Sequence, residues 1–338
     1  MDNVKINKLN SFNKQRKNDY IKKENEENFL LQINKVLQKK EKSFYNECNE
    51  TYPFIFVFGL PRSGTTLLTQ AISHFFNIGY INNFMAKFWL APLTGIKMSK
   101  MMFGNNNDTN YQSDYAATKK LTDIHEFGYF WRQWLKKESM NEIINSKNNE
   151  EKIKWDQLKN VLLNIQQEFG KGLCAKNIYG SYHIEKFIKK FKKVLWVYIE
   201  REESDVAISI LEARKKYYKN LNLWWSYVPL EYNELKNLPY KEQIGGQIYY
   251  LKKYYNDIID SINGKNIVII KYKDLCQQPS KELMKIKKSC EKFCDYNLEF
   301  INKFPRSFNY NVYKNRTKEK EEFLNIIEQF RKRDNDET

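Results

Sequence analysis

Long apolar runs are missing from this 338-residue sequence. No stretch reaches the ~18 consecutive apolar residues that a membrane-spanning helix needs, and the first twenty residues lack the apolar core of a secretory signal. These absences argue against a transmembrane or exported protein, so we expect a cytoplasmic location. Peripheral association with a lipid surface stays open, because it needs no apolar span.

Cysteine and histidine are scarce, with five Cys and three His in the whole sequence. An odd number of cysteines does not suit a framework of disulfides, and only Cys290 and Cys294 lie near each other, one helical turn apart. The histidines lie far from that pair in the sequence, so a structural zinc site lacks evident ligands. We expect reduced thiols and no metal site.

Acidic residues are outnumbered: 41 Asp and Glu stand against 57 Lys and Arg, which gives a net charge of +16. Such a charge suits an anionic small molecule, an anionic polysaccharide, a lipid surface or a nucleic acid. Lysine and asparagine are abundant along the whole chain, so a compositional bias explains the charge equally well. No nucleic-acid-binding module is evident, which makes a nucleic-acid partner the less favoured interpretation.

The most informative segment is residues 52–70, YPFIFVFGLPRSGTTLLTQ. Its first seven residues predict a buried strand, and its last residues predict a helix. Gly59 and Gly64 bracket a four-residue turn, whose backbone N–H groups can converge on an anion at the start of the helix. Arg62 adds a forked, charged donor to this turn. Hydroxyl groups come from Ser63, Thr65 and Thr66.

This phosphate-binding loop departs from the nucleoside-triphosphatase pattern G-x-x-x-x-G-K-[ST], because Thr65 stands where that pattern has lysine. No apolar run ending in Asp supplies a convincing magnesium-holding strand. A P-loop kinase or NTPase is therefore the alternative rather than the leading hypothesis.

A second strand pattern, VLWVYI at residues 194–199, ends close to Arg201. A predicted helix begins near Glu203 and carries Ser209, which follows Arg201 by about two helical turns. Arginine and serine could therefore face one phosphate at the end of the sheet where strands terminate.

These motifs resemble those of the PAPS-dependent sulfotransferases, in which PAPS, 3′-phosphoadenosine 5′-phosphosulfate, donates a sulfuryl group. GLPRSGTTLL resembles the loop for the 5′-phosphosulfate, the strand with Arg201 and Ser209 resembles the 3′-phosphate site, and IVIIKYKDLCQQP at residues 267–279 resembles a further family strand. Segments NNFMAKFW, HEFGYFW and ILEARKKYYKNLNLWW are closer to bacterial, carbohydrate-modifying members. The resemblance covers roughly residues 50–300, the size of one domain.

The resemblance implies transfer of a sulfuryl group from PAPS to an acceptor hydroxyl or amine, with PAP as product and no metal required. It implies donor contacts from the loop, from Arg201 and Ser209, and from Tyr272 on the adenine side. The residues that it assigns to the donor loop are Arg62, Ser63, Gly64, Thr65 and Thr66. The usual aspartate and proline after the 3′-phosphate arginine are here Glu202 and Glu203, and the glycine-rich C-terminal loop of the cytosolic enzymes is missing.

Catalysis needs a base for the acceptor proton and donors that stabilise the departing oxygen. The base is expected to be His125 or Glu126, and residue type does not separate them. Arg62 fits the stabilising role, and Lys176 is a further candidate for contact with the transferred group or the acceptor. His74 and His183 are not expected to be catalytic, whereas Lys314 and Arg316 could add late 3′-phosphate contacts.

Strand patterns that alternate with helical ones predict an α/β protein: a three-layer α/β/α sandwich with a mostly parallel central sheet. We expect a charged, partly disordered helical appendage at residues 1–50, a sulfotransferase domain at 51–312 and a charged helix or tail at 313–338. The aromatic cluster of Trp224, Trp225 and Tyr227 could stack on a sugar acceptor or simply fill the core.

Overall fold

The computed structural model describes residues 13–17, 20–104, 118 and 120–336. Within this part of the chain, five parallel strands form one sheet in the order β2-β3-β1-β4-β5. The strands are β1 (Phe54–Phe58), β2 (Gly79–Tyr80), β3 (Leu173–Lys176), β4 (Val194–Glu200) and β5 (Ile267–Lys271).

Helices cover both faces of this sheet. In chain order they are α1 (Glu24–Glu41), α2 (Thr65–Phe75), α3 (Pro92–Phe103), α4 (Gly128–Trp134), α5 (Met140–Ile144), α6 (Trp155–Phe169), α7 (Ile184–Lys190), α8 (Glu203–Tyr217), α9 (Tyr232–Leu235), α10 (Tyr240–Ser261), α11 (Tyr272–Gln277), α12 (Pro279–Cys294) and α13 (Thr317–Asp336). The predicted α/β sandwich is confirmed.

Successive side chains of a strand point to opposite faces of the sheet, so the sheet has a buried core on each side. Phe54, Phe56 and Phe58 of β1 point to one face, where they pack with residues of α6, α7, α8 and α10. Ile55 and Val57 point to the other, where α2, α11 and α12 supply the apolar partners. Every residue of β1 is fully buried, as expected for the central strand of a parallel sheet that is covered on both sides.

The helices at the two ends of the chain pack on these layers. The α1 carboxylate of Glu41 is buried and accepts a hydrogen bond of 2.6 Å from the Leu93 N–H at the start of α3. In α13, Phe323, Ile327 and Phe330 are buried against the rest of the first core. The predicted divisions near residues 50 and 312 stay predictions, and the expected disorder falls partly on residues 1–12, which lie outside the described part.

Strand and helix predictions were close to the observed bounds around the loop. One bound differs from its pattern: the run IVIIKY at residues 267–272 favours a strand through Tyr272, but β5 ends at Lys271 and Tyr272 begins α11. No helix in the described part of the chain is long and apolar enough to cross a membrane.

Candidate active site

A cavity of about 1260 Å³ opens at the carboxyl ends of the strands. The residues that follow β1, β4 and β5 line it, namely Gly59, Arg201 and Tyr272, and so does Lys176 at the end of β3. This is the edge where open parallel sheets bind ligands.

The turn after β1 has the backbone that the sequence predicted. Gly64 has φ +105°, and a Cβ there would lie 2.5 Å from Cδ2 of Tyr272. Arg62 is also left-handed, at φ 70°. Helix α2 begins at the next residue, Thr65, and the first N–H groups of a helix have no acceptor within it. The turn therefore presents unpaired N–H groups and a positive helix end to the cavity.

Side chains of this turn divide into two groups. Arg62, Thr65 and Thr66 line the cavity. Ser63 does not: its side chain is fully buried, and its N–H donates to the Leu60 carbonyl at 3.1 Å. Ser63 therefore shapes the turn in this structure, and its predicted contact with the donor stays a prediction.

The second predicted motif meets the first. Arg62 Nε donates a hydrogen bond of 3.0 Å to the Ser209 hydroxyl, although 147 positions separate the two residues. Arg201 Nη1 donates to the Arg62 carbonyl at 2.9 Å, and its guanidinium lies 4.6 Å from the ring centre of Tyr272. The fold thus brings Arg62, Arg201, Ser209 and Tyr272 into one group.

The charge of the cavity fits an anionic nucleotide. Of the lining residues that the structure describes, Glu126 is the only carboxylate. The cationic ones are Arg16, Arg62, Arg132, Lys176 and Arg201. Nε of Arg201 is buried and has no hydrogen-bond partner among the residues that the structure describes, which is costly unless a ligand satisfies it. The volume also exceeds what one drug-sized ligand usually needs, up to ~1,000 Å³, so donor and acceptor could be held together.

His125 and Glu126 also line the cavity, in the segment just before α4. Glu126 pairs with the Lys176 ammonium group, whose side chain is 9% exposed. His125 Nδ1 accepts the Phe127 N–H at 2.8 Å. His125 is solvent-exposed at the cavity, and partial desolvation by the surrounding protein lowers its pKa below the ordinary value, although the Glu126 carboxylate opposes this. A neutral ring that accepts at Nδ1 carries its proton on Nε2.

Several lining residues escaped the sequence analysis. Residues 308–313 form a wall of the cavity, and Arg201 Nη2 donates to the Asn311 carbonyl at 2.6 Å. Arg16 and Arg132 line the same cavity, as do Tyr217 and Trp225. No motif marks Arg16 or residues 308–313. Arg132, however, directly follows the HEFGYFW segment, and Tyr217 and Trp225 lie in residues 210–225, two segments in which the chain resembles the bacterial members.

Other predicted residues lie elsewhere. Trp224 and Tyr227 are buried in the first core, so only Trp225 of that cluster reaches the cavity. Arg316 pairs with Glu212 and Glu319, and neither it nor Lys314 lines the cavity. His183 is buried against Glu150, and burial lowers its pKa to about 4. Among the described residues, no group of three or more His, Cys, Asp or Glu could hold a metal ion.

The fold and this edge of the sheet define an α/β protein with a phosphate-binding loop. The chain belongs to the sulfotransferase family, whose model matches residues 53–292. No curated protein matches the sequence.

Similar solved structures are also sulfotransferases, each at 12% identity. A sulfotransferase from Mycobacterium avium aligns over 72% of this chain and 64% of its own, with a TM-score of 0.48. One from Mycobacterium tuberculosis H37Rv aligns over 76% and 72%, with a TM-score of 0.43. The sulfotransferase domain from the curacin biosynthetic pathway aligns over 71% and 74%, with a TM-score of 0.40. The chain thus spans just under two thirds of the length of the Mycobacterium avium protein.

Proposed function

We propose that the protein is a PAPS-dependent sulfotransferase that acts on a hydroxyl or amine of a saccharide or glycoconjugate. The observation that carries the proposal is the contact between the two predicted halves of the donor site, through Arg62, Ser209 and Arg201. Membership of the sulfotransferase family supports the same reaction class.

In this proposal, bound PAPS supplies the sulfuryl group and leaves as PAP. The loop N–H groups and Arg62 hold the 5′-phosphosulfate end and stabilise the negative charge that grows on the departing oxygen. Arg201 and Ser209 hold the 3′-phosphate, with Tyr272 on the adenine side. No step requires a metal ion.

Glu126 is the residue that we assign as the base. The Nδ1 lone pair of His125 is occupied by the Phe127 N–H, so the neutral ring can only donate from Nε2. Glu126 lines the cavity and contacts Lys176 through Oε1, which leaves its second oxygen to accept a proton from the acceptor hydroxyl. Lys176 holds this carboxylate in place and adds positive charge beside the transferred group.

A saccharide acceptor is supported by the ring faces on the same side of the cavity. Tyr179, Tyr217 and Trp225 all line it, and aromatic faces pack well against the apolar face of a sugar ring. A cytoplasmic location, expected from the sequence, belongs to this proposal as well.

The proposal is tested by titrating PAP and ATP into the protein by calorimetry, with and without magnesium. We expect PAP to bind tighter than ATP in the absence of magnesium. Magnesium-dependent binding of ATP with no binding of PAP would contradict the proposal and favour the P-loop kinase or NTPase alternative.

A further inference from the structure

The acceptor side of the cavity carries two arginines that the donor site does not use. Arg132 lies on α4, which begins two residues after Glu126, and Arg16 belongs to the short segment of residues 13–17. Both line the same cavity as Glu126 and Lys176. Because both arginines carry a positive charge in the cavity that holds the predicted base, they affect which acceptors the cavity can bind.

Residues 13–17 are held against the end of α8. Arg16 forms an antiparallel bridge with Tyr218, and the Lys17 N–H donates to the Tyr217 carbonyl at 2.9 Å. Asn13 closes the segment, because its side chain exchanges two hydrogen bonds of 2.9 Å with the backbone of Lys22. The segment is therefore a wall of the cavity, and Arg16 has a defined position there.

Neither arginine is neutralised within the part of the chain that the structure describes. No described carboxylate pairs with Arg16 or Arg132, and Nε of Arg16 is buried without a hydrogen-bond partner. The Arg16 guanidinium lies beside the phenol of Tyr218. The Arg132 guanidinium packs 4.8 Å from the ring centre of Tyr129 and donates from Nε to the Gly128 carbonyl at 3.4 Å. Each of the two guanidinium groups therefore has further N–H donors that a ligand can use.

A third cation strengthens the local field. Lys22 is partly buried; desolvation lowers its pKa, and the nearby charges of Arg132 and Arg16 lower it further, whereas Glu27 raises it. Glu27 lies 3.6 Å from the Lys22 ammonium group, so this carboxylate compensates the charge of Lys22. Uncompensated positive charge at a partly enclosed site favours an anion.

We propose that the acceptor is an anionic saccharide whose carboxylate, sulfate or phosphate group binds Arg16 and Arg132. This inference rests on the proposed function, because it assigns these arginines to the acceptor rather than to PAPS. Tyr217 and Trp225, whose ring centres are 6.3 Å apart, lie next to the anchor of Arg16 and would contact the sugar ring. Forked guanidinium donors match planar carboxylates and tetrahedral oxyanions.

The test is calorimetry with PAP present at saturation and three matched ligands: p-nitrophenyl β-D-glucoside, the corresponding glucuronide and the corresponding 6-phosphate. We expect at least one anionic ligand to bind tenfold or more tightly than the neutral glucoside. Arg16→Gln and Arg132→Gln should each remove most of that preference. Lys14→Gln is the matched control, because Lys14 is an exposed cation of the same segment, and it should keep the preference.

Equal or weaker binding of both anionic ligands, or a preference that survives in both arginine variants, overturns the proposal. The affinity for PAP separates this outcome from failure of the proposed function. Arg16→Gln and Arg132→Gln should bind PAP as the wild type does, and a large loss of PAP binding in them would place the arginines in the donor site and also overturn the proposal. If the unaltered protein fails to bind PAP, the donor assignment itself is wrong.

Discussion

Arg62 and Ser209 are joined by a 3.0 Å hydrogen bond from Nε to the hydroxyl oxygen. Arg62 lies in the turn after β1, and Ser209 lies on α8, which follows β4. Because β1 and β4 are neighbours in the sheet, their carboxyl ends meet, and the two motifs predicted to bind phosphate lie together. This contact and other features of the fold lead to measurable effects of single substitutions.

Glu126→Gln should lower kcat by ~10²–10⁴-fold, the usual contribution of a general base, and leave PAP affinity nearly unchanged. The amide keeps the size of the side chain but cannot accept the proton. Turnover would be followed with labelled PAPS and an acceptor from a saccharide screen, and Glu47→Gln, at an exposed position, serves as the control. A larger loss in His125→Asn than in Glu126→Gln would assign the base to His125 instead.

Gly64→Ala should destabilise the protein and weaken PAP binding. Its φ of +105° disfavours any side chain, and the new Cβ would lie 2.5 Å from the Tyr272 ring, so we expect a loss of about 1–3 kcal/mol in the free energy of unfolding. Gly170→Ala is the matched control, since Gly170 has φ +67° but an added Cβ there would meet nothing within 4 Å. Urea unfolding that shows equal losses for both variants would contradict the role of the Tyr272 contact.

Glu41→Ala should lower the free energy of unfolding by about 1–2 kcal/mol, the range for loss of a helix cap. Its carboxylate accepts from the Leu93 N–H at 2.6 Å and the Thr94 hydroxyl at 2.6 Å. Removal leaves both donors unsatisfied at the start of α3. Urea unfolding would be compared with Glu47→Ala, for which we expect no change. An unchanged midpoint in Glu41→Ala would mean that α1 does not contribute to the stability of the domain.

Lys137→Met should stabilise the protein, and more at pH 6 than at pH 10. Lys137 is fully buried, and burial lowers its pKa to about 7 from 10.5. Between pH values of about 7 and 10.5, the unfolded state binds more protons than the folded state. The free energy of unfolding of the wild type therefore rises with pH across that window. The variant lacks this rise, and its advantage should shrink as pH increases.

Thermal unfolding at several pH values measures the difference between Lys137→Met and the wild type. Lys154→Met, at an exposed position, should show no such dependence. A stabilisation by Lys137→Met that is constant between pH 6 and pH 10 would contradict burial of a charged ammonium group.

Sequence patterns were sufficient to place the residues of the proposed donor site because each half is local. The spacing of Gly59 and Gly64 within one turn, and of Arg201 and Ser209 across a strand end, fixes those residues relative to β1 and β4. Parallel pairing of the two strands then brings the halves together.

The acceptor side could not be predicted in the same way. Arg16 and Asn311 reach the cavity from segments that are remote in sequence and carry no motif, and nothing in the pattern of residues 125–132 shows where the Arg132 side chain lies. Trp224 and Trp225 show the limit of local patterns: neighbouring tryptophans point in different directions, so one is buried in the core and the other lines the cavity. Tyr272 begins a helix rather than ending a strand, since β5 stops at Lys271 beside Glu200, the last residue of β4.

The most direct measurement compares the affinities of PAP and AMP, which differ by the 3′-phosphate, in the wild type and in Arg201→Ala. The account predicts that the wild type binds PAP ~10–100-fold tighter than AMP, since a charged hydrogen bond contributes about 1.5–3 kcal/mol. Arg201→Ala should lose this preference, whereas Arg306→Ala, at an exposed position, should keep it. Equal affinity of the wild type for PAP and AMP, or an unchanged preference in Arg201→Ala, would contradict the assignment of the 3′-phosphate site.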